Sequence, residues 1–180
     1  MKYRYAFKTE KENVVKVVGR DVNMSRKQAI EMCDFVRNKP ISKMIPMLEK
    51  VKDKKLAVPF HRFTEGAGHK KGVGMASGKH PFKGSALFIS LLKSLETNAQ
   101  NKGLGSNLLI IHACAQQAAR PFHSGRKRRI RMKRVHIELA AVEMETPKKE
   151  SKEKNKMEKQ EKENKKAEEK NMNNTANQAN

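Results

Sequence analysis

Two clusters of side chains in this 180-residue chain have the types and spacing to do chemistry, and that chemistry is the gripping of phosphate. The first lies within residues 54–80, where His61, Arg62, His69, Lys70, Lys71, Lys79 and His80 alternate with Gly66, Gly68, Gly72, Gly74 and Gly78. Glycine has no Cβ, so such a backbone can approach a partner closely. The second gathers Arg120, Arg126, Lys127, Arg128, Arg129, Arg131, Lys133 and Arg134. Arginine's planar fork holds a phosphate through two bonds and stacks on a base, whereas lysine acts as a point charge. Between Gly66 and Ile137, fourteen Lys or Arg are balanced by one acidic residue, Glu96.

The same residues exclude other chemistry. A net charge of +21 repels itself, and such an excess normally answers a polyanion, of which nucleic acid is the commonest. An anionic membrane is the rival, but no apolar run is long enough to span a bilayer and the short, charged N-terminus does not read as a signal peptide. No Walker-type loop is present, and no nucleophile–base set or carboxylate pair stands out; only Glu65 and Glu96 could serve as bases in the basic half. No cofactor or metal is therefore expected. Cys33 and Cys114 are too far apart for a zinc spacing and read as reduced cytosolic thiols. His112 and His136 read as ordinary sheet residues. With no Trp and few aromatics, a base-stacking sheet is not expected either.

The elements that must position these clusters follow from periodicity. Val14 to Val18 signals a strand. Ser25 with Gln28 reads as a capping box opening a helix to about Asn38, which Pro40 interrupts. Ile41, Met44, Ile45, Leu48 and Val51 mark a second helix, with Pro46 tolerable if the helix is capped from Ser42. Both stripes are apolar, so this pair reads as core and not as a DNA-reading helix-turn-helix. Residues 54–80 have no period. A third helix is expected from Pro81, as its first residue, to Gly103. Its apolar positions, Phe82, Ala86, Ile89, Leu92 and Leu95 with Leu87, Phe88 and Leu91, would cover a wide face, making it the most buried element. Leu108 to Ala115 is one strand. Val135, Ile137, Leu139 and Ala141 alternate with His136, Glu138, Ala140 and Val142 as a half-buried second one. If both strands continued through Gln116–Arg134, the arm would project ~30 Å and, being polar, would need a surface to lie on.

The expected architecture is α+β, three helices packed on a small antiparallel sheet with a long protruding β-hairpin and a disordered C-terminal tail. The boundaries read as an N-terminal extension 1–13, a binding domain 14–146 with basic loop 54–80 and hairpin 107–143, and a Lys/Glu/Asn-rich tail 147–180. That tail carries ten Lys and seven Glu with almost nothing apolar, so +18 of the charge belongs to residues 1–146.

Several motifs, in order, resemble one family. Gly19-Arg20-Asp21 with Ser25-Arg26-Lys27, Val58-Pro59-Phe60-His61-Arg62-Phe63, and Gly68-His69-Lys70-Lys71-Gly72 come first. Pro81 with Lys83, Leu91-Leu92, Glu96-Thr97-Asn98-Ala99, Ile111-His112-Ala113-Cys114-Ala115 and Val135-His136-Ile137-Glu138 follow. Together they resemble the ribosomal large-subunit protein twenty-two family in its archaeal and eukaryotic form, whose eukaryotic member is numbered seventeen. The resemblance covers roughly residues 14–143. It implies a cytoplasmic structural component of the large ribosomal subunit, not an enzyme, that binds large-subunit ribosomal RNA, meets neighbouring ribosomal proteins and supports assembly. It adds Arg20, Arg26 and Lys27 to the RNA-binding set. It also implies that the hairpin lines the nascent-polypeptide exit tunnel, with Pro121, Phe122, His123, Ser124 and Gly125 nearest the nascent chain. The segment Gln116–Arg134 departs from the pattern in looking several residues shorter than usual. The competing readings are a nonribosomal basic nucleic-acid-binding protein and, less favoured by the residues, an RNA-modifying enzyme.

Overall fold

A computed structural model describes residues 3–9, 13–72 and 74–144. The proposed disordered tail, 147–180, lies outside the described residues. Three strands, β1 (Val14–Val22), β4 (Leu108–Gln117) and β5 (Val135–Glu143), form an antiparallel sheet in the order β1-β5-β4. One face carries α1 (Arg26–Val36), α2 (Ile41–Lys52) and α3 (Phe82–Asn101). A two-residue ribbon, β2 (Val58–Pro59) with β3 (Gly78–Lys79), closes the base of the basic loop.

The core forms where the helical stripes meet the inward parity of the strands. Ala29, Met32, Cys33 and Val36 of α1, Ile41, Met44 and Leu48 of α2, and Phe88, Leu92, Leu95 and Ala99 of α3 pack on Val15, Val17, Ile110, Ala113, Ile137, Leu139 and Ala141. Two bulges keep that parity. In β4, Ile110 pairs with Ala141 and His112 with Ala140, so Ile111 is the extra residue and Ala113 still faces the core. In β1 the register shifts between Gly19 and Val22, with Asp21 at φ 50°. Burial also pushes the Cys33 thiol pKa upward, as expected of an inert core cysteine.

Several expectations are corrected. Ser25 is the N-cap of α1 but makes no side-chain cap bond, and the helix stops at Val36. Pro40, not Ser42, caps α2, and Pro81 caps α3 from outside instead of being its first residue. Phe82 and Ala86 are exposed, because the buried face of α3 runs through Ser85, Phe88, Leu92, Leu95 and Ala99. The most buried element is β5, the central strand, and not α3.

The last correction has a specific cause. Strand β5 is covered on both faces through its middle, so Glu138 is 1% exposed where alternation predicts a solvent-facing residue. Residues 3–9 lie across the outer face. The Tyr3 hydroxyl donates to Glu138 Oε1 at 2.6 Å and the Ala6 amide to Oε2 at 2.9 Å. Phe7 stacks on His112 at 5.0 Å, Arg20 lies over the Tyr3 ring at 4.9 Å, and Lys16 Nζ donates to the Phe7 carbonyl at 3.1 Å. Burial also lowers the His112 pKa.

Replacing Glu138 with Ala leaves two donors without their charged acceptor. It should cost about 2–3 kcal/mol of stability by denaturant titration and expose the bonds after Arg4 and Lys8 to trypsin. The tyrosines supply a second readout, since Tyr3 and Tyr5 are the only two and the chain has no Trp. Burial and the Glu138 carboxylate raise the Tyr3 pKa from 10.0 to about 12. The contribution of this neutral hydroxyl is therefore complete below pH 10 and lost as pH rises toward about 12. Absorbance titration at alkaline pH should show late ionisation of Tyr3, and Glu138→Gln should bring it closer to the ordinary value.

Candidate nucleic-acid interface

The basic loop is irregular but not loose. Its chain leaves β2 and turns at His61, Arg62 and Phe63, whose successive amides all donate to one carboxylate. That carboxylate is Glu31, 1% exposed on α1, at 3.1, 2.8 and 2.8 Å. The chain returns through His69, whose Nδ1 lies 3.2 Å from the Ala76 carbonyl, and re-enters the domain at β3. Beyond it, His80 Nδ1 lies 2.9 Å from the Leu56 carbonyl. His69 and His80 thus hold the loop in place. Arg62, Lys70 and Lys71 stand exposed, and Lys79 is half-buried with Nζ 5.6 Å above the Phe60 ring.

The hairpin is regular only at its base. The ladder ends at Gln117 and Val135, and pairing resumes beyond it through the Ala118 amide to the Arg134 carbonyl, the Met132 amide to the Pro121 carbonyl, and the His123 amide to the Ile130 carbonyl. Pro121 has no N–H to give, so a continuous strand cannot run through it. The end turns through a single 3₁₀ turn at Gly125–Lys127, with Gly125 at φ 67°. From Gln117 to Gly125 the arm can reach about 25 Å. This is two irregular, still paired arms and not the continuous strands considered from sequence.

Arg120, Arg126, Lys127, Arg128, Arg129, Arg131 and Lys133 are all exposed on this arm. Among the described residues the ion pairs are Lys27–Glu65, Arg37–Asp34 and Lys55–Asp53, so no tip cation is neutralised there. Arg131 lies 4.9 Å above the Phe122 ring, and Phe122 and Ile130 are 56% and 54% exposed. Pro121, Ser124 and Gly125 are exposed and His123 half-buried. Arg134 is partly committed to the fold, because its guanidinium donates to the Asp21 carbonyl at 3.1 Å and pins the β1 bulge.

The structure brings part of the sequence-predicted set together. A groove of about 350 Å³ is lined by Ser25, Arg26, Lys27, Gln117, Arg120, Lys133 and Arg134, joining the start of α1 to the hairpin base. Lys27, Lys79 and Lys133 also line a larger neighbouring cleft. Arg20 sits apart, against Tyr3 at the bulge of β1. Sequence reasoning missed Glu31, which looked like an ordinary helix carboxylate, and the cleft residues Phe63, Phe82 and Lys83. The local signal for Glu31 was weak: it lies beside Met32 and Cys33 on the inward face of α1. Among the described residues no group of His, Cys, Asp or Glu could hold a metal, and no helix is long and apolar enough to cross a membrane.

Fold and surface together define a class: a small α+β scaffold that displays unpaired cations on a finger and a loop. The chain belongs to the family of ribosomal protein L22p/L17e, whose model matches residues 17–142. Its relatives include large ribosomal subunit protein uL22 of Methanocorpusculum labreanum, 34% identical over 63% of this chain and 76% of the relative. The uL22 of Archaeoglobus fulgidus is 37% identical over 63% of this chain and 75% of its own, and that of Thermofilum pendens 33% identical over 79% and 98%. These three relatives are archaeal, in keeping with the archaeal and eukaryotic type, and a ribosomal protein of this family is a structural component and not an enzyme.

Glu31→Ala leaves three consecutive amides without their acceptor. It should cost about 2 kcal/mol or more and abolish amide-exchange protection at residues 61–63, while the sheet amides keep theirs. Protection at 61–63 unchanged in the variant would show that the loop does not depend on this carboxylate.

Proposed function

We propose that this protein is a cytoplasmic component of the large ribosomal subunit that binds large-subunit ribosomal RNA and supports assembly of the particle. The observation that carries the reading is the hairpin arm. It has seven exposed Arg and Lys between residues 120 and 133, no acidic partner among the described residues and no apolar face packed on its own domain. An arm of this kind is held in place by the polyanion that surrounds it. Arg26, Lys27, Arg62, Lys70, Lys71 and Lys79, with Arg20, His61 and His69, extend the RNA-facing surface over the loop and the start of α1. Neighbouring ribosomal proteins are the second class of partner. The exposed turn Pro121–Gly125 is the part that would line the exit tunnel and meet the nascent polypeptide.

The competing nonribosomal reading is disfavoured by the family match over residues 17–142. The test is a fourfold neutralisation, Arg126, Arg128, Arg129 and Arg131 to Gln. The isolated variant should melt within about 1 °C of the parent, because these side chains make no tertiary contact with the core. Its affinity for large-subunit RNA should fall, with the slope of log K against log salt reduced by roughly 3. In cells it should be lost from the large subunit on a sucrose gradient. Unchanged co-sedimentation of the variant would refute the role given to the arm. A photo-crosslinking residue at Ser124 should label the nascent chain in stalled ribosomes, and labelling of RNA alone would remove the tunnel contact.

A further inference from the structure

The cleft beside the interface carries a more specific assignment. It is an open cavity of about 710 Å³ between the start of α1, the basic loop and the start of α3. That size falls within the roughly 300–1,000 Å³ of small-ligand sites. It gathers three of the seven Phe of the chain, Phe60 and Phe63 from the start of the basic loop and Phe82 from the start of α3. Each ring has a lysine ammonium near it: Lys79 over Phe60 at 5.6 Å, Lys27 over Phe63 at 5.6 Å and Lys52 over Phe82 at 5.9 Å. Lys27, Lys79, Lys83 and Lys133 form the basic lining, while Lys52 stands outside it and the Arg62 guanidinium also lies 5.4 Å from the Phe63 ring.

We infer that this cleft binds one unpaired nucleotide of RNA, its base against Phe82 and Phe63 and its phosphate held by the surrounding lysines. The inference rests on the RNA-binding reading above. Phe60 is 3% exposed and forms the floor, while Phe82 is 52% exposed at the mouth, where a base can reach it. A paired base has both faces covered by its neighbours, so rings set in a pocket can stack only on a base that has left the helix. The amides of Asn23 and Gln28 also line the cleft and make no hydrogen bond to the described residues, leaving them free for a base edge. The lone carboxylate, Glu65, is exposed and stands 4.0 Å from Lys27, too weak a partner to neutralise the site.

The test compares two RNA hairpins that differ only by one bulged 2-aminopurine, bound to the full chain at one salt concentration. The bulged hairpin should bind about tenfold tighter, within what stacking one base on an aromatic ring contributes. Its fluorescence should change on binding. Phe82→Ala should bring the ratio of affinities below about twofold, and because that side chain is half exposed the variant should fold, as checked by its melting curve. Lys83→Ala should weaken the bulged hairpin more than the paired one. Equal affinity of the two hairpins for the parent chain would overturn this site alone. So would a preference that survives Phe82→Ala. Failure of the parent chain to bind either hairpin would overturn the RNA-binding reading itself.

Discussion

Two buried carboxylates give their charge to the protein's own backbone, and the display of cations depends on that choice. Glu31 accepts three amides from the basic loop, and Glu138 accepts a hydroxyl and an amide from the N-terminal segment. A carboxylate removed from water must be satisfied by several donors, and N–H groups do this without neutralising a surface charge. Had either acid paired with a lysine or arginine, one displayed cation would have been lost. Instead each acid ties an irregular segment to a regular one, α1 in the first case and β5 in the second. The loop and the strap are thereby ordered with few apolar residues of their own.

The hairpin is the counterexample that shows why such ties are needed. Nothing equivalent to Glu31 reaches residues 118–134, and Phe122 and Ile130 remain more than half exposed. Its pairing consists of separate backbone bonds around Pro121 and one cation–ring contact, Arg131 on Phe122. A two-stranded arm of this size contributes little stability by itself. Its cations repel one another, and among the described residues no carboxylate pairs with them to offset that repulsion. The loop is shaped by Glu31 from within the domain, whereas the arm has no such tie.

What the sequence revealed follows from how local each signal is. The stripes of α1 and α2 and the alternation of β5 are periodic within a few residues, β4 is a continuous apolar run, and these elements appear where those local signals place them. The outer face of β5 was not legible, because Glu138 alternates as an exposed residue should and only the distant Tyr3 and Ala6 make it buried. Phe60 and Phe63 stand in the loop and Phe82 on the third helix, some twenty residues on in the sequence; the β2–β3 ribbon and the start of α3 bring them to one cleft. The caps went astray for a related reason. A Ser three residues before a Gln fits a capping box by type, yet the Ser25 carbonyl takes the Ala29 amide at 2.9 Å and its hydroxyl makes no cap bond.

The split between lysine and arginine then has a structural meaning. Cations beside rings in the cleft and loop are largely lysines: Lys27, Lys52 and Lys79 each stand 5.6–5.9 Å from a phenylalanine. An ammonium is a compact point charge on a flexible four-carbon stem, so its position is not fixed by a rigid geometry of its own. The tip, with no pocket to define geometry, carries mainly arginines, whose rigid forks bring their own directionality to a phosphate. The Arg62 guanidinium, 5.4 Å from the Phe63 ring, is the exception among the ring-facing cations of the loop.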